Sequence, residues 1–212
     1  MASLDEARLA VSYGASAVGL VSAMPSGPGP IPDDLIRTIA AAVPPGVATF
    51  LLTCKQNAPA IIEQHRTTRT SAIQIVDEFP MDEYAILKAN LPGIKLVQVV
   101  HVSDEVSIQY ATDVAKHVDA ILLDSGNPRL PVKELGGTGR VHDWTISRTI
   151  RETVGIPVYL AGGLNADNVG DAISIAKPFA VDVCSGVRTG GKLDEKKLSA
   201  FFAAVSEAPM RE

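Results

Sequence analysis

The side chains that could do chemistry mostly follow short β-branched stretches of the sequence. Asp124 comes directly after the apolar run 120–123. A carboxyl group with an apolar strand behind it can have a raised pKa and act as a general acid. Asp124 is therefore the first candidate for catalysis, and capping of the loop that follows is its alternative role. Three other residues at the ends of such runs could act as a base: Asp77, His101 and Cys54. A lone histidine or a lone cysteine at such a position is often structural.

Two glycine-containing turns follow the last two strand-like runs. Glycine allows backbone amides to approach an anion closely, and a helix N-terminus adds a partial positive charge. (βα)₈ barrels commonly bind phosphate between the loops after their last two strands. The sequence therefore predicts a phosphate site on the amides of Gly162, Gly163, Ser185 and Gly186, and simple tight turns are the alternative.

The elements that would position these residues alternate regularly along the chain. Apolar strands alternating with helices predict a parallel sheet covered by helices, and so many units favour a closed barrel over a doubly wound open sheet. We expect a TIM (βα)₈-type barrel in a single domain, 1–212. Because the chain begins with a helix, we also expect this barrel to lack its first β-strand. Strands are predicted at 17–21, 47–52, 72–76, 95–100, 120–123, 157–160 and 180–183, and helices near 3–13, 32–43, 57–68, 80–91, 104–117, 142–153, 165–176 and 194–206.

Two longer connections are expected to lie at the mouth of the barrel. The segment 126–139 directly follows Asp124 and is longer than most connections, which is typical of lids and binding loops. We interpret it as a mobile cover. The proline-rich segment 24–32 predicts a stiff, irregular loop over the same mouth.

Composition excludes several classes of function. The 24 acidic and 19 basic residues are interleaved along the chain and give a net charge of −5, which argues against nucleic acid as a partner. The two cysteines, Cys54 and Cys184, lie far apart without a ligand cluster, so we expect neither a disulfide nor a metal site. Neither a secretion signal nor a membrane-spanning apolar run is recognisable. A cytoplasmic protein is the expectation.

Four motifs lie in the second half of the chain, at 122–125, at 136–139 with 142–144, at 160–165 with 168–169, and at 178–187. In order and spacing they resemble those of the phosphoribosylanthranilate isomerase family of tryptophan biosynthesis. Four ordered motifs are far more specific than any one of them. The segment 14–21 also resembles the family, at the passage from its first helix to its second strand.

This resemblance implies an Amadori rearrangement, in which a phosphoribosyl amine opens to an enolamine and tautomerises to a ketone. The reaction needs one acid and one base and no cofactor. Asp124 matches the family's acid, which protonates the furanose ring oxygen. The phosphorylated, sugar-type ligand would place its phosphate on Gly162, Gly163, Ser185 and Gly186.

The chain also departs from the family pattern. The family's base is a cysteine in a Lys-Ile-Cys-Gly motif on strand one, which we expect to be missing in a diverged or N-terminally truncated member. The family's carboxylate-binding arginine after strand two is absent from 26–30. The family's Leu-His-Gly after strand four reads Ile75-Val76-Asp77 here, so a further active-site imidazole is replaced.

The base is thus left open among Asp77, His101 and Cys54. Two other functions stay open as well: a diverged sugar-phosphate isomerase or epimerase, and a non-catalytic phosphometabolite-binding protein. A barrel with one strand missing has unpaired edges, which favours a homodimer.

Overall fold

The computed structural model describes residues 1–25, 27, 29–127, 130–136 and 139–208. Seven strands form one sheet: β1 (Ala17–Val21), β2 (Ala48–Thr53), β3 (Ala72–Ile75), β4 (Lys95–His101), β5 (Ala120–Asp124), β6 (Val158–Leu160) and β7 (Ala180–Val181). A short hairpin follows, made of β8 (Arg188–Thr189) and β9 (Lys192–Leu193). The helices are α1 (Leu4–Ser12), α2 (Asp33–Ala42), α3 (Ala58–Thr68), α4 (Glu83–Asn90), α5 (Val106–Val114), α6 (Trp144–Thr153), α7 (Val169–Ala176) and α8 (Glu195–Glu207).

The sheet is parallel throughout, and its strands are arranged in their order along the chain from β1 to β7. Each strand passes through a helix to the next strand, so the carboxyl ends of all seven meet at one edge. This confirms the predicted α/β class with a curved parallel sheet. In the described residues β1 and β7 are the two ends of the sheet and are not hydrogen-bonded to one another.

The apolar side chains alternate between the two faces of the strands. In β5, Ile121 and Leu123 pack against the surrounding helices, whereas Ala120 and Leu122 belong to a smaller cluster inside the curve of the sheet. Successive side chains of a strand point to opposite faces, so Asp124 points inward like Ala120 and Leu122. β5 therefore both buries the Asp124 carboxyl group and directs it into the interior of the curved sheet.

Several predicted boundaries shift for local reasons. The helix expected from 165 begins at Val169, because Asn165 and Asn168 form a turn in which the Asn168 side chain accepts from the Asn165 amide at 2.9 Å. The hairpin β8–β9 was not predicted. Its strands have two residues each, and Gly190 and Gly191 turn the chain between them with positive φ.

An ion pair connects α1, which precedes β1, with the hairpin that follows β7. The Arg188 guanidinium, at the start of the hairpin after β7, donates to both carboxylate oxygens of Glu6 on α1, at 3.0 and 2.8 Å. Glu6 also accepts from the amides of Ala2 and Leu193. Burial alone would raise the pKa of Glu6, but the hydrogen bonds from Arg188 and these amides lower it to about 2. Glu6 and Arg188 therefore form a charged clamp between α1 and the hairpin.

No helix within the described ranges is long and apolar enough to span a membrane.

Candidate active site

Asp124 lies at the inner end of β5, and its side chain is 9% exposed. One carboxylate oxygen, Oδ1, accepts from the Ser125 amide at 2.7 Å. Burial raises the pKa of Asp124, while the Ser125 amide and the neighbouring His101 oppose that rise. A buried carboxyl group of this kind can hold a proton near neutral pH and give it up to a substrate.

The segment after Asp124 folds back over it. Asn127 and Glu134 exchange two backbone hydrogen bonds, at 2.8 and 3.0 Å, and so close a small loop. Leu135 is buried against the inner apolar cluster, and an ideal Cβ on Gly136 would lie 2.7 Å from Oδ2 of Asp124. Part of the predicted cover, 128–129 and 137–138, lies outside the described residues. Within its described part, Gly136 lies against the Asp124 carboxyl group, whereas Leu130 and Val132 are exposed.

The first predicted glycine loop lies beside the same carboxyl group. A Cβ on Gly162 would lie 3.1 Å from both Oδ1 of Asp124 and Nδ1 of His142. A Cβ on Gly163 would lie 2.6 Å from the backbone of Arg140. Both glycines have positive φ, +84° and +64°. Larger residues would therefore push the loop after β6 away from Asp124.

The second glycine loop packs directly on the first. A Cβ on Gly186 would lie only 1.9 Å from the carbonyl oxygen of Leu164, which no side chain could tolerate. Gly186 belongs to the 3-10 turn Ser185–Val187. The glycine at this position lets the two loops touch, and their backbones meet at one side of the cavity mouth.

A cavity of about 740 Å³, including space open to solvent, lies at the carboxyl end of the sheet. Both glycine loops and the loop after β5 contribute to its wall. Three ionisable side chains line it: Asp124, Asp182 and Cys184. The remaining lining residues are Val21, Met24, Gly27, Leu52, Gln74, Val76, Leu135, Gly136, Gly139, Ala161, Gly162, Gly163, Leu164 and Ser185. The predicted acid and three of the four predicted phosphate-binding residues thus line one cavity. Gly186 is not part of the lining, but it packs against Leu164, which is.

The three residues predicted as bases all lie outside that lining. Asp77 is held by hydrogen bonds outside the cavity. Its Oδ2 accepts from Lys133 Nζ at 2.6 Å and from Gln56 Nε2 at 2.9 Å. Its other oxygen accepts from the Glu78 amide at 2.9 Å. A carboxylate with this many partners is more suited to fixing loops than to taking a proton from a ligand.

His101 and Cys54 are also engaged in structural contacts. His101 is the register partner of Asp124 on β4, but its Nε2 lies 3.0 Å from the Val76 carbonyl oxygen. Its Nδ1 side is covered so closely by residue 126 that a Cβ there would lie 2.4 Å away. The Cys54 thiol donates to the Ala23 carbonyl oxygen at 3.4 Å, and burial raises its pKa, which disfavours a reactive thiolate.

Two cavity residues, Asp182 and Cys184, did not emerge from the sequence as candidates. The predicted site residues lie at the ends of the strand-like runs, whereas Asp182 lies inside the run 180–183. A usable signal was present, because a charged residue within an otherwise apolar parallel strand must face something other than the covering helices. The same alternation places Cys184 two residues later on the same face.

Metal ligation finds no support in the geometry. Among the residues whose placement is described, no group of three or more His, Cys, Asp or Glu side chains is arranged to hold a metal ion.

The curved parallel sheet, with polar side chains and paired glycine loops at the carboxyl ends of its strands, defines an α/β protein of the TIM-barrel class. Comparison with known proteins narrows this class. The family model of N-(5'-phosphoribosyl)anthranilate isomerase matches residues 34–204. The isomerase of Methanocella arvoryzae is 36% identical over 198 residues, which are 93% of this chain and 90% of that protein. This chain belongs to the N-(5'-phosphoribosyl)anthranilate isomerase family.

Solved structures agree with this membership. The Thermotoga maritima phosphoribosyl anthranilate isomerase superimposes with a TM-score of 0.83 at 29% identity, over 97% of this chain and 95% of that one. Another structure of such an isomerase has a TM-score of 0.81 and 27% identity, over 97% of this chain and 95% of that one. It contains reduced 1-(o-carboxyphenylamino)-1-deoxyribulose 5-phosphate. A further Thermotoga maritima structure has a TM-score of 0.79 and 25% identity, again over 97% of this chain and 95% of that one. It shows monomers generated from a dimeric isomerase.

Proposed function

We propose that this chain is a phosphoribosylanthranilate isomerase, which converts N-(5'-phosphoribosyl)anthranilate into the corresponding deoxyribulose 5-phosphate in tryptophan biosynthesis. One observation supports this most strongly: the Asp124 carboxyl group and the two glycine loops line one cavity. An aldose-to-ketose rearrangement of a phosphorylated amine needs a proton donor at the sugar and an anion site at its end. No cofactor enters this scheme.

Asp124 is proposed as the general acid. Its burial favours the protonated form, so it can donate a proton to the furanose ring oxygen as the C1–O bond breaks. The nitrogen lone pair then forms the C1=N bond of the open-chain iminium. A proton leaves C2, and the enolamine that results tautomerises to the ketone.

The phosphate is proposed to lie at the meeting point of the two glycine loops. Gly162, Gly163 and Ser185 line the cavity there, and Gly186 allows the loops to approach. Their backbone amides can approach an anion without a side chain between them. A ligand held in this way extends its sugar towards Asp124, because a Cβ on Gly162 would already contact that carboxyl group.

The finer features of the fold and setting are part of the same proposal. We infer a (βα)₈ barrel in which the strand position between β1 and β7 is not filled by any strand of the described residues. We also infer a single domain over 1–212, a cytoplasmic location and a homodimer. The Thermotoga maritima structure of monomers generated from a dimeric isomerase supports the dimer. Sedimentation equilibrium that showed a strict monomer would overturn it.

A direct assay tests the proposal. The purified chain is mixed with freshly generated phosphoribosylanthranilate, and the loss of substrate is followed by anthranilate fluorescence while the ketone product is identified by mass and by its carbonyl chemistry. We expect saturable turnover and inhibition by the reduced deoxyribulose phosphate. Tight binding of that reduced compound without turnover would instead indicate a phosphometabolite-binding protein. Turnover of other phosphorylated amino-sugars alone would indicate a diverged isomerase.

A further inference from the structure

Gln74 is a buried polar side chain in the wall of the cavity. It lies on β3 and is 7% exposed. Its neighbours along the strand, Ile73 and Ile75, pack in the core between the sheet and the helices. Successive side chains of a strand point to opposite faces, so Gln74 points into the curve of the sheet, where it lines the cavity.

Apolar side chains surround Gln74 on this inner face. Its register partners are Leu52 on β2 and Val97 on β4, and both contribute to the inner apolar cluster. Val76, two residues further along β3, belongs to that cluster as well. An amide in such surroundings costs free energy unless its donor and its acceptor are hydrogen-bonded. A glutamine at this position therefore needs a reason other than packing.

The other buried glutamines have hydrogen-bond partners inside the protein. In Gln64 and Gln98 the side-chain oxygen accepts from a hydroxyl group, at 2.8 and 2.6 Å respectively. Their side-chain nitrogens donate to protein oxygens at 2.8–3.2 Å. The carboxamide of Gln74 makes no hydrogen bond within the part of the chain that the structure describes. Buried polar groups are almost always paired, so an unpaired amide that lines a cavity is suited to a ligand.

β3 lies across the cavity from the glycine loops. In the order of the sheet it is three strands from β6 and four from β7, the strands that carry those loops. Strands that far apart in a closed or nearly closed sheet face one another across its interior. From β1 to β3, the described lining of the cavity is apolar apart from Gln74, and includes Val21, Leu52 and Val76. This side of the cavity is suited to an aromatic ring with one polar substituent.

We propose that Gln74 binds the aromatic carboxylate of the substrate and determines selectivity for it. This inference rests on the isomerase activity proposed above, whose substrate carries a phosphate at one end and a carboxyphenyl group at the other. With the phosphate on the glycine loops, the aromatic ring lies against Leu52 and Val76, and Nε2 of Gln74 donates to a carboxylate oxygen.

The lining supports an amide in this role. Among its described residues there is no lysine, arginine or histidine, so Gln74 is the side-chain donor on this side of the cavity. A hydrogen bond to a charged oxygen is stronger than one between neutral groups. Because the cavity is open to solvent, water can hydrate the other carboxylate oxygen.

Two ligands and two variants test this role. The reduced deoxyribulose phosphate carries the carboxyl group, and its 1-phenylamino counterpart lacks only that group. Gln74→Met keeps the length of the side chain and removes the amide, whereas Gln109→Met makes the same change on the exposed surface of α5. Calorimetry gives the Kd of both compounds for each protein. Steady-state kinetics give kcat and KM with phosphoribosylanthranilate.

We expect Gln74→Met to weaken binding of the carboxyl-bearing compound by roughly 10- to 100-fold, the range for a hydrogen bond to a charged group. Its affinity for the carboxyl-free compound should change only a few-fold. KM should rise with kcat nearly unchanged, because the contact is the same in the ground state and in the transition state. Gln109→Met should match the wild type in every measurement.

Other outcomes would separate this role from the isomerase proposal. Equal losses for the two compounds would mean that Gln74 contacts another part of the ligand, and would overturn its role in carboxylate binding. Unchanged affinity of Gln74→Met in an active enzyme would also overturn that role and leave the isomerase proposal intact. A wild type without turnover would overturn the isomerase proposal and this inference with it.

Protein stability distinguishes a ligand contact from a structural contact. Replacement of an unpaired buried amide by an apolar side chain should leave the free energy of unfolding unchanged or raise it, as measured by urea denaturation. Gln74→Leu, which has a different shape, repeats both measurements, so that a poor fit of the methionine side chain is not mistaken for a lost hydrogen bond. Marked destabilisation of both variants would mean that Gln74 has a structural partner in the protein, and would contradict the inference.

Discussion

Gly136 lies against the carboxyl group of Asp124 so closely that a Cβ at position 136 would be 2.7 Å from Oδ2. Gly136 also has a φ of +133°, which side-chain-bearing residues rarely adopt. The loop after β5 thus sets both the position and the enclosure of the proposed acid.

Gly136→Ala should lower kcat on the order of 100-fold, because displacement of a catalytic group by about 1 Å can have an effect of that size. Steady-state kinetics check this. Gly93→Ala is the control, since Gly93 also has a positive φ but nothing lies within 4 Å of its added Cβ. Equal losses in both variants would mean that backbone strain, and not contact with Asp124, is responsible.

Gly186→Ala should weaken phosphate-ligand binding at least about tenfold, equivalent to 1.4 kcal/mol. The added Cβ would overlap the Leu164 carbonyl and force the two glycine loops apart. Calorimetry with the reduced deoxyribulose phosphate measures the effect. Gly170→Ala on α7 should bind normally, because nothing lies within 4 Å of its added Cβ. Normal binding by Gly186→Ala would show that the loops do not need their contact to hold the ligand.

Glu6→Gln should destabilise the fold by on the order of 2 kcal/mol, a value reduced from that of fully buried pairs because of partial solvent screening. Glu6 and Arg188 are only 14% and 13% exposed, so loss of the carboxylate leaves a largely buried guanidinium without its partner. Because the folded pKa of Glu6, about 2, lies below its ordinary 4.5, this stabilisation is complete above pH 4.5 and is lost as pH falls towards 2.

Urea denaturation at several pH values measures this contribution. Glu152→Gln, which removes an exposed i,i+4 partner of Arg148, should change the free energy of unfolding little. A Glu6→Gln variant as stable as wild type at pH 7 would contradict the role of this clamp.

His142 should make the fold sensitive to mildly acidic pH. Burial lowers its pKa from 6.5 to about 4, and its Nε2 lies 2.7 Å from Ser147 Oγ. The unfolded chain binds a proton at this residue below pH 6.5 and the folded chain does not, so stability falls by up to about 3 kcal/mol as pH drops from 6.5 to 4. His142→Phe should flatten this part of the stability profile. An unchanged slope would mean that other groups cause it.

The sequence predicted the strands and most helices because their apolar patterns are local and strong. It predicted Asp124 and the glycine loops because they lie at strand ends, where parallel sheets place their active sites. The hairpin Arg188–Thr189 with Lys192–Leu193 was missed, since two-residue strands carry no periodic signal.

The choice of a base could not be made from residue types alone. Asp77, His101 and Cys54 have suitable chemistry, but long-range contacts with Lys133, the Val76 carbonyl and the Ala23 carbonyl occupy them. Such partners are separated by many residues along the chain, so only the folded structure reveals them.

The central claim is that the carboxyl group at position 124 donates the proton that opens the sugar ring. The most direct measurement is turnover of phosphoribosylanthranilate by Asp124→Asn, alongside its affinity for the reduced deoxyribulose phosphate. The account predicts a loss of kcat of roughly 100-fold or more with affinity nearly unchanged. Turnover close to that of the wild type, in a folded variant that binds the compound normally, would contradict it.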